Sequence, residues 1–262
     1  GQTDNTVVNV DYYGIGIVAD DVVIDGLTVS TDATDAFNLV RIGQNSGSTA
    51  MAADNVTIEN SVFNNFTTDS TSESHSAIAI GPGTGANEVT NISVVDNEFN
   101  NRTTTAESSP GYTMGAVVLY GGGPHSVTVD DNEIHDITAY HFAHGISVDA
   151  GSSNTDEAIS LDNNTIYNLT STNFVGDGVA LQGAAENVDV TNNTIYNAST
   201  FGVLLDDVVD INATQNTISD NPTGINILSS GAENVSLTSN NLVGNTDVAL
   251  NNGDSGDTLE AT

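Results

Sequence analysis

The sequence has no cysteine and no lysine, and its only arginines are Arg41 and Arg102. Without cysteine there is no disulfide framework. Two isolated arginines cannot make a basic patch, which excludes nucleic-acid binding of the phosphate-tracking kind. No run of 18 apolar residues occurs, so no segment reads as a membrane-spanning helix. No stretch sustains a 3.6-residue apolar period, so helix content is expected to be very low. No signal peptide is visible, which fits a mature secreted chain that has lost one.

What is abundant is acid. Thirty-five Asp and Glu residues give a formal charge of −33. Such a chain repels itself at low salt. At molar salt the Debye length falls to ~3 Å and the repulsion is screened. Disorder is the other common meaning of such acidity, but the apolar residues here recur too regularly for it. The composition therefore predicts a protein adapted to high salt, from a halophile.

The regularity is a repeat. NNTIYN occurs at 163–168 and again at 192–197. Aligned on it, further copies read IENSVF (58–63), VVDNEF (94–99), VDDNEI (129–134), LDNNTI (161–166), VTNNTI (190–195), ATQNTI (213–218) and LTSNNL (237–242), with a weaker IDGLTV at 24–29. Their last apolar residues form a column: Val29, Phe63, Phe99, Ile134, Ile166, Ile195, Ile218 and Leu242. Between copies lies a second alternating pattern, usually after Gly or Ala: GIGI (14–17), AFNL (36–39), AIAI (77–80), AVVL (116–119), GISV (145–148), GVAL (178–181), GVLL (202–205), GINI (224–227) and DVAL (247–250). Each period thus carries three short stretches of strand periodicity.

Three strands per turn, repeated eight or nine times, predict an all-β chain that coils on itself, each strand pairing in parallel with its equivalent ~4.8 Å away. The repeat at 178–195, GVALQGAAENVDVTNNTI, resembles that of the right-handed parallel β-helix of the pectate-lyase-like superfamily. The resemblance runs from about Val7 to Leu250. It implies a turn between second and third strands lined by a ladder of stacked Asn side chains: Asn97, Asn132, Asn164, Asn193, Asn216 and Asn240, with Leu27 and Ser61 in the early coils. NNTIYN is then a turn and a strand, not a catalytic motif. Residues 1–262 read as a single solenoid domain. The first coil begins almost at once, at Val7, without a capping helix, and the last strand is followed only by a polar tail. This leads to the expectation that the chain is part of a longer protein or stacks end to end on neighbours.

Functional candidates come from loop lengths and from scarce residues. Long connections flank the first-strand sheet in the middle coils, which in the resembling enzymes floors the polysaccharide cleft. His144 and Asp177 fall at one register position in successive coils. A carboxylate beside an imidazole raises its basicity, so they are the best acid–base pair. Tyr120, Asp149 and Gln182 stack at the strand's other end, which adds Tyr120 and Asp149 as catalytic candidates. Arg41, Arg102, Tyr112 and His141, in or beside the long loops, are candidates for binding substrate. The outward floor of that sheet, Ala79, Val118, Ser147, Ala180 and Leu204, reads as small and apolar.

The enzyme motifs of the superfamily are poorly matched. AHGISVD at 143–149 is similar to the GHG motif of polygalacturonases, but Ala143 replaces the first Gly. Asp206–Asp207 and SNTD at 153–156 imitate its acidic motifs in the wrong order, and an Arg-x-Lys motif is absent. Calcium is the one cofactor that the sequence suggests. Two acidic, Gly-bearing loops could offer it oxygen ligands from Asp149, Asp156, Glu157, Asp254 and Asp257. Ten N-x-S/T sequons begin at Asn55, Asn65, Asn91, Asn101, Asn163, Asn168, Asn192, Asn197, Asn212 and Asn234. They mark either a glycosylated surface or the by-product of an Asn- and Thr-rich chain. Thr165, Thr194 and Thr217 form a short outward threonine column.

The leading expectation is an extracellular or surface-displayed structural or adhesive module, such as a filament or spike subunit. Its partners would be polysaccharide, cell-surface glycans or copies of itself. The alternatives are a polysaccharide lyase or glycoside hydrolase with a cleft over the middle coils, and a non-catalytic carbohydrate-binding domain. A fold of this kind hosts many activities, so the sequence is compatible with an enzyme and with a non-catalytic module.

Overall fold

A computed structural model describes residues 6–9, 14–31, 38–46, 49–69, 75–81, 89–104, 113–120, 124–149, 158–228, 231–253 and 260–261. Among these there is no helix. The chain is a right-handed parallel β-helix. Its strands fall into three series. The first runs from Ile15–Ile17 through Asn38–Ile42, His75–Ile80, Thr113–Tyr120 and Phe142–Asp149, and on to Val248–Asn252. The second runs from Val22–Asp25 to Glu260–Ala261, and the third from Thr6–Asn9 to Asn241–Val243. Among the described residues all pairing between coils is parallel, and the one antiparallel pair is a small hairpin, Gln44–Ser46 with Thr49–Met51.

The core is made of columns that run the length of the solenoid. Val29, Phe63, Phe99, Ile134, Ile166, Ile195, Ile218 and Leu242 follow one another in register, as the repeat predicts. Phe63 and Phe99 stack with ring centroids 5.0 Å apart. The second series adds Ile24, Ile58, Val94, Val129, Leu161, Val190, Ala213 and Leu237. Each buried Val, Leu or Ile contributes roughly 1.5–3 kcal/mol from apolar area removed from water. The glycine that often precedes a first strand has a steric cause. A Cβ on Gly178 would stand 2.3 Å from Ile195 Cγ2 and 2.6 Å from the Gly202 carbonyl.

The asparagine ladder is present. From Asn132 to Asn240 the Asn Oδ1 accepts from the backbone N–H and from Nδ2 of its counterpart in the preceding coil. For Asn132 and Asn164 these distances are 3.1 and 3.0 Å. The Nδ2 also donates to a backbone carbonyl of the preceding coil, as Asn164 does to Val129. Ser61 joins the ladder through its Oγ, which accepts from the Leu27 N–H at 3.1 Å.

Two features differ from the sequence expectation. The early first strand is Asn38–Ile42, not AFNL at 36–39: Val40 and Ile42 pair with Ile15 and Ile17 on one side and with Ile78 and Ile80 on the other. Residues 36–42 carry two overlapping apolar alternations, and only the neighbouring coils choose between them. The second difference is an extra short strand in the longer coils. Phe66–Thr68 pairs with Arg102–Thr104, which pairs with the far half of Glu133–Ala139. A left-handed residue, Asn65, Asn101 or Asp136, turns the chain into it.

Candidate functional site

Left-handed Asn residues explain the sequons. Nine of the ten sequon asparagines, all but Asn212, have φ between 50° and 57°. Asn tolerates this backbone better than most residues. Turn geometry places Asn at the corner, an inward residue next and an outward Ser or Thr after it, and that order spells N-x-S/T. Several of the corner amides bind across coils: Asn55 Nδ2 donates to Asp21 at 2.6 Å, Asn91 to Asp54 at 2.8 Å and Asn168 to Asp136 at 3.0 Å. Bonds from Thr90 and Asn91 hold the Asp54 carboxyl below the usual carboxylate range. Part of the acidity is therefore used in ladders along the corners.

The structure brings His144 and Asp177 together. They are register partners, with Nδ1 3.2 Å from Asp177 Oδ2. Both side chains are shut away from solvent, at 2% and 0% exposure. Phe142 packs 5.9 Å from the His144 ring, and the Phe174 ring lies 5.5 Å from that of Phe142. Burial pushes the Asp177 carboxyl above its ordinary range, and His144 opposes that shift. His141 is buried beside them, edge-on to Tyr140 at 4.8 Å and 5.1 Å from Phe174. Tyr120, Asp149 and Gln182 stack in register as the alignment predicts, with Asp149 exposed.

The two arginines are not where the sequence suggested. Arg41 lies within a strand, on the outward column of the first-strand sheet, paired with Gly16 and Ala79. That column is closed: Ala79, Val118, Ser147, Ala180 and Leu204 are each no more than 6% exposed. Arg102 is not a loop residue. It fills an inward position between Phe66 and Ile137 and is 0% exposed. Its guanidinium carbon sits 4.5 Å from the centre of the Phe66 ring, and Nη2 lies 3.5 Å from Met114 Sδ. Nε and Nη1 have no hydrogen-bond partner, and burial lowers the pKa to about 9. The reason is register: the column that takes Phe66, Ile137 and Leu169 inward takes residue 102 with it. Tyr112, Asp156, Glu157, Asp254 and Asp257 lie outside the described residues. Among the described residues no group of three or more His, Asp or Glu could hold a metal ion.

The open cleft is elsewhere. A groove of about 710 Å³ runs along the extra strands, lined among the described residues by Thr31, Asn65, Thr67, Asn101, Thr103, Asp136 and Thr138. Thr67 and Thr103 are register partners, as are Thr103 and Thr138, so one hydroxyl projects per coil. The left-handed Asx residues Asn65, Asn101 and Asp136 make the other wall. A hydrogen bond from His135 holds the Asp136 carboxyl below the usual carboxylate range, at 2.8 Å. The sequence signal was available: an Asx two residues after each third-strand apolar position, followed by x-Thr. In two of the three coils it coincides with a sequon, at Asn65 and Asn101.

Residues 154–262 match the family model described as right handed beta helix region. No curated protein matches the chain by sequence. Among solved structures, a catalytic domain of a GH87 alpha-1,3-glucanase in complex with tetrasaccharides is 16% identical. It gives a TM-score of 0.52 over 91% of this chain and 53% of that one. XylC in complex with xylose is 15% identical, with a TM-score of 0.49 over 84% of this chain and 37% of that one. The A-module of a mannuronan C-5 epimerase of Azotobacter vinelandii is 14% identical, with a TM-score of 0.40 over 95% of this chain and 72% of that one. At these identities the likeness is one of fold.

Proposed function

We propose that the chain is an adhesive β-helix module that binds neutral polysaccharide along the outside of the solenoid without cleaving it, outside the cell and in high salt. The observation that carries this is the open groove of about 710 Å³. Its size lies in the range of small-ligand sites. Its walls offer hydroxyl and amide groups repeated at the coil spacing of ~4.8 Å, which suits a ligand that is itself a chain of hydroxyls. Acidic polysaccharides are disfavoured because the described lining of the groove carries the Asp136 carboxylate and no basic side chain to pair an anion.

The test is calorimetry in molar salt against neutral and acidic polysaccharides, comparing the wild type with a Thr67→Val/Thr103→Val variant. A lost hydrogen bond is worth about 0.5–1.5 kcal/mol, so the variant should bind several-fold more weakly. Absence of binding, or a variant that binds as well as the wild type, refutes the proposal. A second reading, a glycoside hydrolase or lyase, rests on the 3.2 Å approach of His144 to Asp177 and requires the cover over that buried pair to open to substrate. New reducing ends or unsaturated uronates in the same mixtures, with and without Ca²⁺, would establish it. The filament or spike reading is tested by electron microscopy for end-to-end assembly.

A further inference from the structure

The outer face of the third-strand sheet carries a ladder of rings. His135, Tyr167 and Tyr196 are register partners in three successive coils. The His135 and Tyr167 rings stack at 4.8 Å with 2° between their planes, and the Tyr167 and Tyr196 rings at 4.9 Å with 1°. The ladder is fixed along its edge. His135 Nδ1 lies 2.8 Å from Asp136 and Nε2 lies 3.5 Å from Glu98. The Tyr167 hydroxyl donates to Glu133 at 2.9 Å. Stacked rings cover each other's faces, so within the ladder only an end ring has a face to offer another ring.

The Tyr196 end is built differently from the rest. The next residue in the column is Ser219, too small to cover a ring, and the one after it is Val243, which is 53% exposed. Two coil rises, roughly 9.6 Å, separate Tyr196 from Val243. That is twice the stacking distance within the ladder, so the missing rung is a slot one ring thick. The column alongside, on the same outward face, brings the hydroxyls of Thr194 and Thr217 to its rim, and the exposed Asp220 follows Ser219.

We infer that this notch between Tyr196 and Val243, floored by Ser219, is a subsite for one pyranose ring. The aliphatic face of the sugar would lie on Tyr196 and its edge hydroxyls would meet Thr194, Thr217 and Asp220. An apolar ring face with hydroxyl and carboxylate acceptors around it is the chemistry of a sugar. It is not that of a nucleotide or an aromatic acid, whose anionic group would meet the Asp220 carboxylate at short range. The inference rests on the polysaccharide-binding reading and extends it. Asp136 belongs both to the groove and to the foot of the ladder. From its coil to that of Asp220 is three rises, about 14 Å. One glycan running parallel to the solenoid axis would thus lie in the groove, pass the ring edges and end in the notch.

The experiment uses the whole chain with short and long oligosaccharides of the glucan, xylan and mannan series, followed by calorimetry and by the emission of its tyrosines. Tyr196→Ala removes the stacking face, and Ser219→Tyr supplies the missing rung and fills the slot. Both should weaken binding of the longer oligosaccharides roughly 5- to 10-fold, the scale of one lost ring stack, while Ser219→Ala changes nothing. Without ligand, Ser219→Tyr should raise the melting midpoint, because its ring enters an open slot. A lowered midpoint means that the slot is closed and overturns the inference. If the wild type binds and both variants bind equally well, the notch is refuted while the groove reading stands. If the wild type binds none of these sugars, the groove reading falls and the notch falls with it.

Discussion

His144 Nδ1 stands 3.2 Å from Asp177 Oδ2, and neither side chain reaches solvent. A pair placed this way in the sequence register looks like an acid and a base, but burial gives it a different first consequence. Asp177 ionises less readily in the folded chain than in the unfolded one, chiefly through desolvation.

The sign of the resulting pH dependence is fixed. Unfolded, the Asp177 carboxyl loses its proton near 3.8; folded, it holds the proton to higher pH. Its contribution is fully present below the unfolded value and is lost as pH rises through the folded one, by about 1.4 kcal/mol for every pH unit between the two. Asp177→Asn, which cannot ionise, should therefore melt higher than the wild type at pH 7 and show no gain at pH 3. Melts of both proteins at the two pH values decide it. A destabilised variant at pH 7 would mean that the carboxylate is held charged by His144.

Arg102 is a cation in an otherwise apolar column. Replacing a buried, poorly paired charge by an apolar residue of similar volume is often stabilising by ~1–4 kcal/mol. Arg102→Met should raise the melting midpoint. Because the folded-state pKa is lowered to about 9, the unfolded chain binds more protons above that pH. Wild-type stability should then rise with pH past about 9, narrowing the gap to the variant. A variant that melts lower would assign Arg102 a compensated structural role.

Asn164 accepts from two nitrogens of Asn132 and donates to Val129 and Asn193. Asn164→Ala orphans the buried Asn132 N–H, at a cost of ~1–3 kcal/mol. Denaturant titration should show that loss, whereas Thr194→Ala on the outer face should change stability little. Equal effects would show that the ladder is not a source of stability.

The charge of −33 predicts a melting midpoint that falls as KCl is lowered from molar to millimolar. The corner ladders temper this, because Asp21, Asp54 and Asp136 accept bonds from Asn55, Asn91 and Asn168, and such bonds hold the Asp54 and Asp136 carboxyls below the usual carboxylate range. A midpoint indifferent to salt would assign the acidity to those ladders alone.

The sequence by itself determined the solenoid. One apolar column, one Asn column and a repeating alternation suffice, because each coil meets only its neighbours and equivalent residues must stack. That rule also put His144 beside Asp177 and Tyr167 beside Tyr196. What only the tertiary structure decided is the direction and cover of each side chain. The strand at Asn38–Ile42 took its register from Ile15 and Ile78, not from its own pattern. The extra strand after Asn101 turned Arg102 into the core and left Thr103 on the groove. The columns around His144 are closed to water, while the Thr and Asx side of the solenoid is open. Periodicity fixes which residues are neighbours along the axis. Whether a column faces core, cover or solvent depends on how the chain turns each corner and on what packs outside it, and no local pattern encodes that.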